Sequence, residues 1–153
     1  MSFYKPYVCG FLFNDSGSHV VMIRKNRPEW QAGKINGIGG KVEGGELLAE
    51  AMVREGLEEA GVEPGWQPFV KLRYPNADVA FFAARDSEMF ERASTKESEE
   101  IIKPEVAYLD KKQFASPNIA FLIPMAWHAL AHERILVPAE LSMRDTVESR
   151  LAA

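Results

Sequence analysis

The chain has 153 residues, a formal net charge of −4 at pH 7, 46% hydrophobic and 26% charged residues, and a single cysteine, Cys9. That length suits one domain with a sizeable core, and the composition excludes a chain dominated by disorder. One cysteine excludes an intramolecular disulfide and fits a reducing compartment. No apolar run approaches the roughly 20 residues needed to span a bilayer, and the acidic balance argues against a nucleic-acid polymer as the main partner.

The N-terminal run MSFYKPYVCGFLFND reads as a first strand rather than a cleavable signal, so a cytoplasmic location is expected. Tyr7–Phe13 and His19–Lys25 are apolar, β-branched runs flanking the turn-rich Asn14–Ser18, which predicts a hairpin. Cys9 lies in the first of these runs and is expected to be a buried, inert thiol. Arg24–Lys34 contains Pro28 and reads as a loop, followed by a short strand at Ile35–Ile38. A glycine-rich turn then leads into a helix over Leu47–Ala60. Trp66–Tyr74 and Asp78–Arg85 read as strands, joined at Pro75-Asn76-Ala77. Glu88–Lys103 is charge-rich, loop or short helix. Glu105–Asp110 predicts a strand, and Ile119–His132 a helix with Pro124 in its first turns; Trp127 and His128 are expected to pack there. No linker divides residues 1–137, and 138–153 read as a C-terminal tail or short helix of the same domain. Strands on both sides of one strong helix give a mixed α/β fold class.

The chemistry concentrates in GKVEGGELLAEAMVREGLEEAGV, Gly40 to Val62. Glu55, Glu58 and Glu59 stand at i, i+3 and i+4, sharing one helix face where their charges repel. Three hard oxygen ligands there suit Mg²⁺ or Mn²⁺, which also accept ligands from substrate phosphates. At about 100° per residue, Ala49, Val53, Gly56, Leu57 and Ala60 fall opposite, as the expected core-facing stripe. Glu46 suits the first turn of the helix, and Gly61 its left-handed end. The glycines from Gly37 to Gly45 let backbone amides and carbonyls approach an anion or metal.

Gly40, Glu46, Arg54, Glu55, Glu58, Glu59, Gly61 and Val62 stand at the spacing of the Nudix signature, and the stretch resembles that of the Nudix hydrolases. One position departs: Gly56 stands where the family usually has Ile, Leu or Val. The resemblance implies an α/β/α sandwich around a mixed sheet. It also implies divalent metal held by Glu55, Glu58 and Glu59 with a carbonyl of Gly39 or Gly40. Arg54 would orient the carboxylates, unless it is a surface ion-pair partner of Glu50 or Glu58. The general base is left among Glu58, Glu59 and the loop acids Glu97, Glu99 and Glu100, with Glu100 taken as the loop candidate.

Trp30, Gly33, Lys34, Asn36 and Lys41 resemble the approach to the site in the MutT-like branch, which hydrolyses purine nucleoside triphosphates, oxidised purines included, to monophosphate and pyrophosphate. In that branch an Asn at the Asn36 position contacts the base; an Asn-Gly turn is the alternative reading. Trp30 and Lys41 join it as expected substrate contacts. Ser116-Pro117-Asn118-Ile119 stands where the branch has Trp-Pro-Asp-Asp, so Asn118 either binds the base or caps a helix. Arg24 and Lys25 either meet phosphates or end a solvated strand. The Pro typical of ADP-ribose hydrolases meets Ala77-Asp78 here, and the Tyr typical of diadenosine polyphosphate hydrolases meets Val79-Ala80. The expected partner is thus a small-molecule nucleotide, with ADP-ribose or another diphosphate conjugate as the alternative substrate and a non-catalytic nucleotide sensor as a further one.

Overall fold

Alternation in the first strand sets the architecture. Val8 and Leu12 point to one face and Cys9, Phe11 and Phe13 to the other, and all five are buried, so this strand must be covered on both sides. The computed structural model describes residues 5–132 and 138–143. In chain order it contains β1 (Lys5–Phe13), β2 (Val20–Arg24), β3 (Ile35–Asn36), β4 (Ile38–Lys41), α1 (Leu48–Ala60), β5 (Gln67–Tyr74), β6 (Ala77–Arg85), α2 (Ser87–Arg92), β7 (Glu100–Ile102), α3 (Ile119–His132) and β8 (Ala139–Ser142). The strands run in the order β3-β2-β1-β6-β5-β8, with β4 also paired to β1 and β7 to β2. The pairs β1–β6 and β5–β8 are parallel and the others antiparallel, so the sheet is mixed. Val8, Leu12, Ala80 and Phe82 pack with Ala51 and Met52 of α1 on one face. Cys9, Phe11, Phe13 and Phe81 pack with Leu122, Ala126 and Ala129 of α3 on the other. The result is a helix–sheet–helix sandwich, and among the described residues no helix is long and apolar enough to cross a membrane.

The hairpin, α1, β5, β6 and α3 form where the pattern predicts, but the strand expected at Ile35–Ile38 stops at Asn36, and Ile38–Lys41, expected as glycine-rich turn, form β4 against β1. Trp127 packs on Phe13, ring centroids 5.4 Å apart, while His128 faces outward.

Three further expectations are corrected. Glu105–Asp110 is no strand: after one bridge opposite His19 the chain turns in a 3₁₀ helix over Val106–Tyr108. Val106 and Leu109, spaced by one such turn, are the residues that pack on the core. Next, Ala139–Ser142 form a strand on β5 rather than a tail or short helix; residues 144–153 lie outside the described residues. Finally, the buried face of α1 is rotated from the expected stripe. Ala51, Met52, Glu55, Gly56, Glu59 and Ala60 are buried, whereas Ala49 is exposed, Val53 half-buried and Leu57 46% exposed. Two glutamates thus replace apolar residues on the face turned to the sheet.

Candidate active site

That rotation carries Glu55 and Glu59 beneath β4. The backbone N–H of Gly39 donates to Glu59 Oε2 at 3.1 Å. Both strand glycines are closely packed: a Cβ on Gly39 would overlap the Val8 carbonyl of β1, and one on Gly40 would strike the Glu55 carboxylate. Burial, and next the charge of Glu55, pushes the Glu59 carboxyl up to about 8. Burial likewise raises Glu55, against the pull of Arg54 and with added repulsion from Glu58 and Glu97. Glu58 diverges from the other two and leaves 47% of its side chain exposed. Among the described residues no three acidic or histidine side chains form a ready-made metal cage. The donor set nonetheless fits a hard divalent cation. Two buried carboxylates, only one of them bonded to a cation, Arg54, stand beside a strand whose missing Cβ atoms leave a cradle next to Glu55.

Arg54 is the hub that holds this array. Its Nε and Nη2 grip both oxygens of Glu46 at 2.8 and 3.0 Å. Nη1 donates to Glu55 at 2.8 Å and to Glu58 at 3.1 Å, and Nη2 to the Lys41 carbonyl at 3.0 Å. Glu46 foremost makes the guanidinium proton harder to remove, and Arg54 in return holds Glu46 below the usual carboxylate range. Glu46 lies ahead of α1 rather than in its first turn, so its anion answers to Arg54 more than to the helix dipole. Glu50 bonds the Leu47 N–H instead.

Beside β4 opens a cavity of about 460 Å³, lined in part by Trp30, Asn36, Gly39, Gly40, Tyr74 and Phe81. Asn36 Oδ1 accepts from the Gly37 N–H at 2.8 Å and from Cys9 Sγ at 3.6 Å. The carbonyl end is therefore engaged by the protein, and the Nδ2 donors are what Asn36 offers a ligand. Burial pushes the Cys9 thiol up to about 12, as an inert thiol requires. Lys25 reaches the cavity too, gripped by Glu99 at 2.9 Å. Burial alone would raise the Glu99 pKa, but the Asn26 N–H and Lys25 outweigh it and hold it low.

Trp30, Asn36, Gly39, Gly40, Glu55 and Glu59 are thus brought around one strand. Other expected site residues stand apart. Arg24 donates to the Gly33 carbonyl at 3.3 Å and pairs with Glu100 at 3.5 Å, and Glu100 leaves 64% of its side chain exposed. Lys41 is exposed and offers its carbonyl to Arg54. Asn118 Nδ2 donates to the Tyr74 hydroxyl at 2.6 Å. Tyr7, Phe81 and Ser116 also line the cavity, and residue type alone does not mark them in sequence. The strand alternation that pairs Tyr7 with Val79 and Cys9 with Phe81 is the signal that marks two of them.

The chain belongs to the Nudix hydrolases: the NUDIX domain family model matches residues 3–131. Among solved structures it resembles MutT from work on Aliivibrio salmonicida and Vibrio cholerae, with 22% identity, TM-score 0.64, and coverage of 80% of this chain and 96% of that one. The NUDIX domain of Shewanella oneidensis NrtR, complexed with ADP ribose, is 16% identical with TM-score 0.68, covering 82% and 87%. MutT from Methanosarcina mazei is 20% identical with TM-score 0.60, covering 86% and 96%. At these identities the likeness is one of fold.

Proposed function

We propose that the chain cleaves a nucleoside triphosphate to nucleoside monophosphate and pyrophosphate, using Mg²⁺ or Mn²⁺. One observation carries the reading: the cavity able to hold a base and the buried carboxylate pair share Gly39 and Gly40 as a common wall. A substrate spanning that wall places its base near Asn36 and its phosphates beside α1. Glu55 and Glu59, joined by Glu58 and by a carbonyl of Gly39 or Gly40, would hold the cation. When bound, it neutralises phosphate charge and makes a water more acidic.

The chain's own residues do the rest. Arg54 keeps the carboxylates in register, and Asn36 donates from Nδ2 to an acceptor on the base edge. Lys25, fixed by Glu99, meets phosphate charge, a role that Arg24 and Lys41 support only from the rim. Water oxygen bonds to phosphorus as the bridging oxygen leaves with pyrophosphate, and the water proton passes to a carboxylate oxygen. For that base the candidates are Glu58, Glu59 and the loop acids Glu97 and Glu99, whereas Glu100 faces Arg24. The lone buried thiol and the net charge of −4 support a cytoplasmic protein acting on small nucleotides rather than on nucleic-acid polymers.

ADP-ribose is the second reading, favoured by the NrtR domain's ADP ribose complex and by a cavity with no acidic group from Ser116 or Asn118 to select an oxidised purine. Chromatographic product analysis with Mg²⁺ separates them. The panel holds common and oxidised nucleoside triphosphates and ADP-ribose, with Glu59→Gln alongside. Monophosphate plus pyrophosphate, absent in the variant, supports the proposal. Cleavage confined to ADP-ribose replaces the substrate and keeps the site.

A further inference from the structure

Tyr74 closes β5 at the turn into β6, and its side chain forms part of the cavity wall. Asn118, between the cavity-lining Ser116 and Ile119, precedes the first residue of α3. The backbone carbonyl of Asn118 accepts from the Leu122 N–H at 3.0 Å, as a helix-entry residue should. Its side-chain amide does something else, donating to the Tyr74 hydroxyl at 2.6 Å. This is a sheet-to-helix tie between positions 44 apart in sequence, and it is partly buried. The bond fixes where the Tyr74 hydroxyl lies relative to α3.

We propose that Tyr74 is the aromatic platform for the base and that Asn118 is its positioning residue, touching the phenol rather than the ligand. The proposal rests on the reading that the cavity holds a nucleobase, whichever phosphate chain follows. Aromatic faces bind bases by stacking, with little dependence on edge chemistry. Tyr74 therefore supplies affinity, and Asn36 is left to supply preference between bases.

The test is a double-mutant cycle on binding of AMP and GMP with Mg²⁺, read by calorimetry, in wild type, Asn118→Ala, Tyr74→Phe and the double variant. Tyr74→Phe keeps the ring and loses the tie. Each single change is expected to weaken binding about three- to tenfold, and the double variant no more than either single one, because both delete the same contact. Tyr74→Leu, which removes the ring, should lose about tenfold or more. With triphosphate, KM should rise more than kcat falls, a split that general loss of fold would not produce. Losses that multiply in the double variant would mean that Asn118 touches the ligand itself and would overturn the proposal. So would unchanged binding in both single variants, or a wild type that binds neither nucleotide. Wild-type binding without triphosphate cleavage removes the proposed reaction and leaves this assignment standing.

Discussion

Glu59 Oε2 sits 3.1 Å from the backbone nitrogen of Gly39, so the helix that carries the glutamates is joined to a strand that lines the cavity. The bond is directional: the N–H orients one carboxylate oxygen and leaves the second available. Glu59→Gln retains an acceptor for Gly39 but loses the charge a cation needs. Residues that merely orient metal ligands typically cost 10–100-fold when changed, so a direct ligand should cost more than about 100-fold in turnover. The same change removes a charge from a buried site and should raise the melting temperature of the metal-free protein at pH 8. Turnover within tenfold of wild type would take Glu59 out of the metal site.

The raised Glu59 carboxyl makes a pH prediction. Its pKa is about 8 when folded, against 4.5 for an unperturbed glutamate, so between those values the folded protein binds a proton that the unfolded chain does not. Stability of the metal-free protein therefore falls as pH rises through this window, by an amount on the order of a few kcal/mol. The contribution is fully present below pH 4.5 and gone above pH 8. Thermal melts in EDTA should show this slope, Glu59→Gln should flatten it, and Mg²⁺ should offset it most at high pH, where the carboxylate is charged. A melting temperature that rises with pH across the window would contradict the assignment.

Arg54 touches three carboxylates and a carbonyl through one planar fork. A lysine has the charge without the fork. Arg54→Lys is expected to lower turnover about 10–100-fold and to raise the Mg²⁺ concentration needed for half-activity, because Glu55 and Glu58 lose their alignment. Activity titrated against Mg²⁺ checks this; a near-wild-type curve for the lysine variant would reduce Arg54 to a surface ion pair.

The elements were legible in sequence wherever one period dominated. Strand alternation marked β1 and β2, β-branched and aromatic residues marked β5 and β6, and helix formers spaced to the register of the Nudix signature marked α1. What failed were readings in which hydrophobicity stood in for burial. Ala49, Val53 and Leu57 look like a core stripe, yet the site needs Glu55 and Glu59 facing the sheet, and no apolar periodicity scale rewards a buried carboxylate. The Glu105–Asp110 error has a similar origin, since one turn of 3₁₀ helix buries Val106 and Leu109 as effectively as a strand would. Asn118 and Glu100 show the remaining gap: their partners, Tyr74 and Arg24, lie far away in sequence, and residue type alone does not disclose which contact a side chain makes.

Gly56 is the place where the chain departs from the Nudix pattern, and the structure supplies the reason. A Cβ there would stand 2.9 Å from the Val62 carbonyl oxygen and 3.3 Å from the Trp66 indole nitrogen. The Gly56 carbonyl also accepts from the N–H of Val62 at 3.2 Å, so the chain after Gly61 folds back tightly over this point, and Trp66 Nε1 is buried there without a hydrogen-bond partner among the described residues. Helix propensity favours alanine over glycine by about 1 kcal/mol, whereas overpacking against backbone costs about 1–3 kcal/mol. The clash should win, because Val62 is backbone that cannot swing aside. Gly56→Ala is expected to lower the melting temperature by a few degrees, and Gly56→Ile, the residue type the family prefers, by more. A higher melting temperature for Gly56→Ala would show that the turn after α1 yields and that propensity governs.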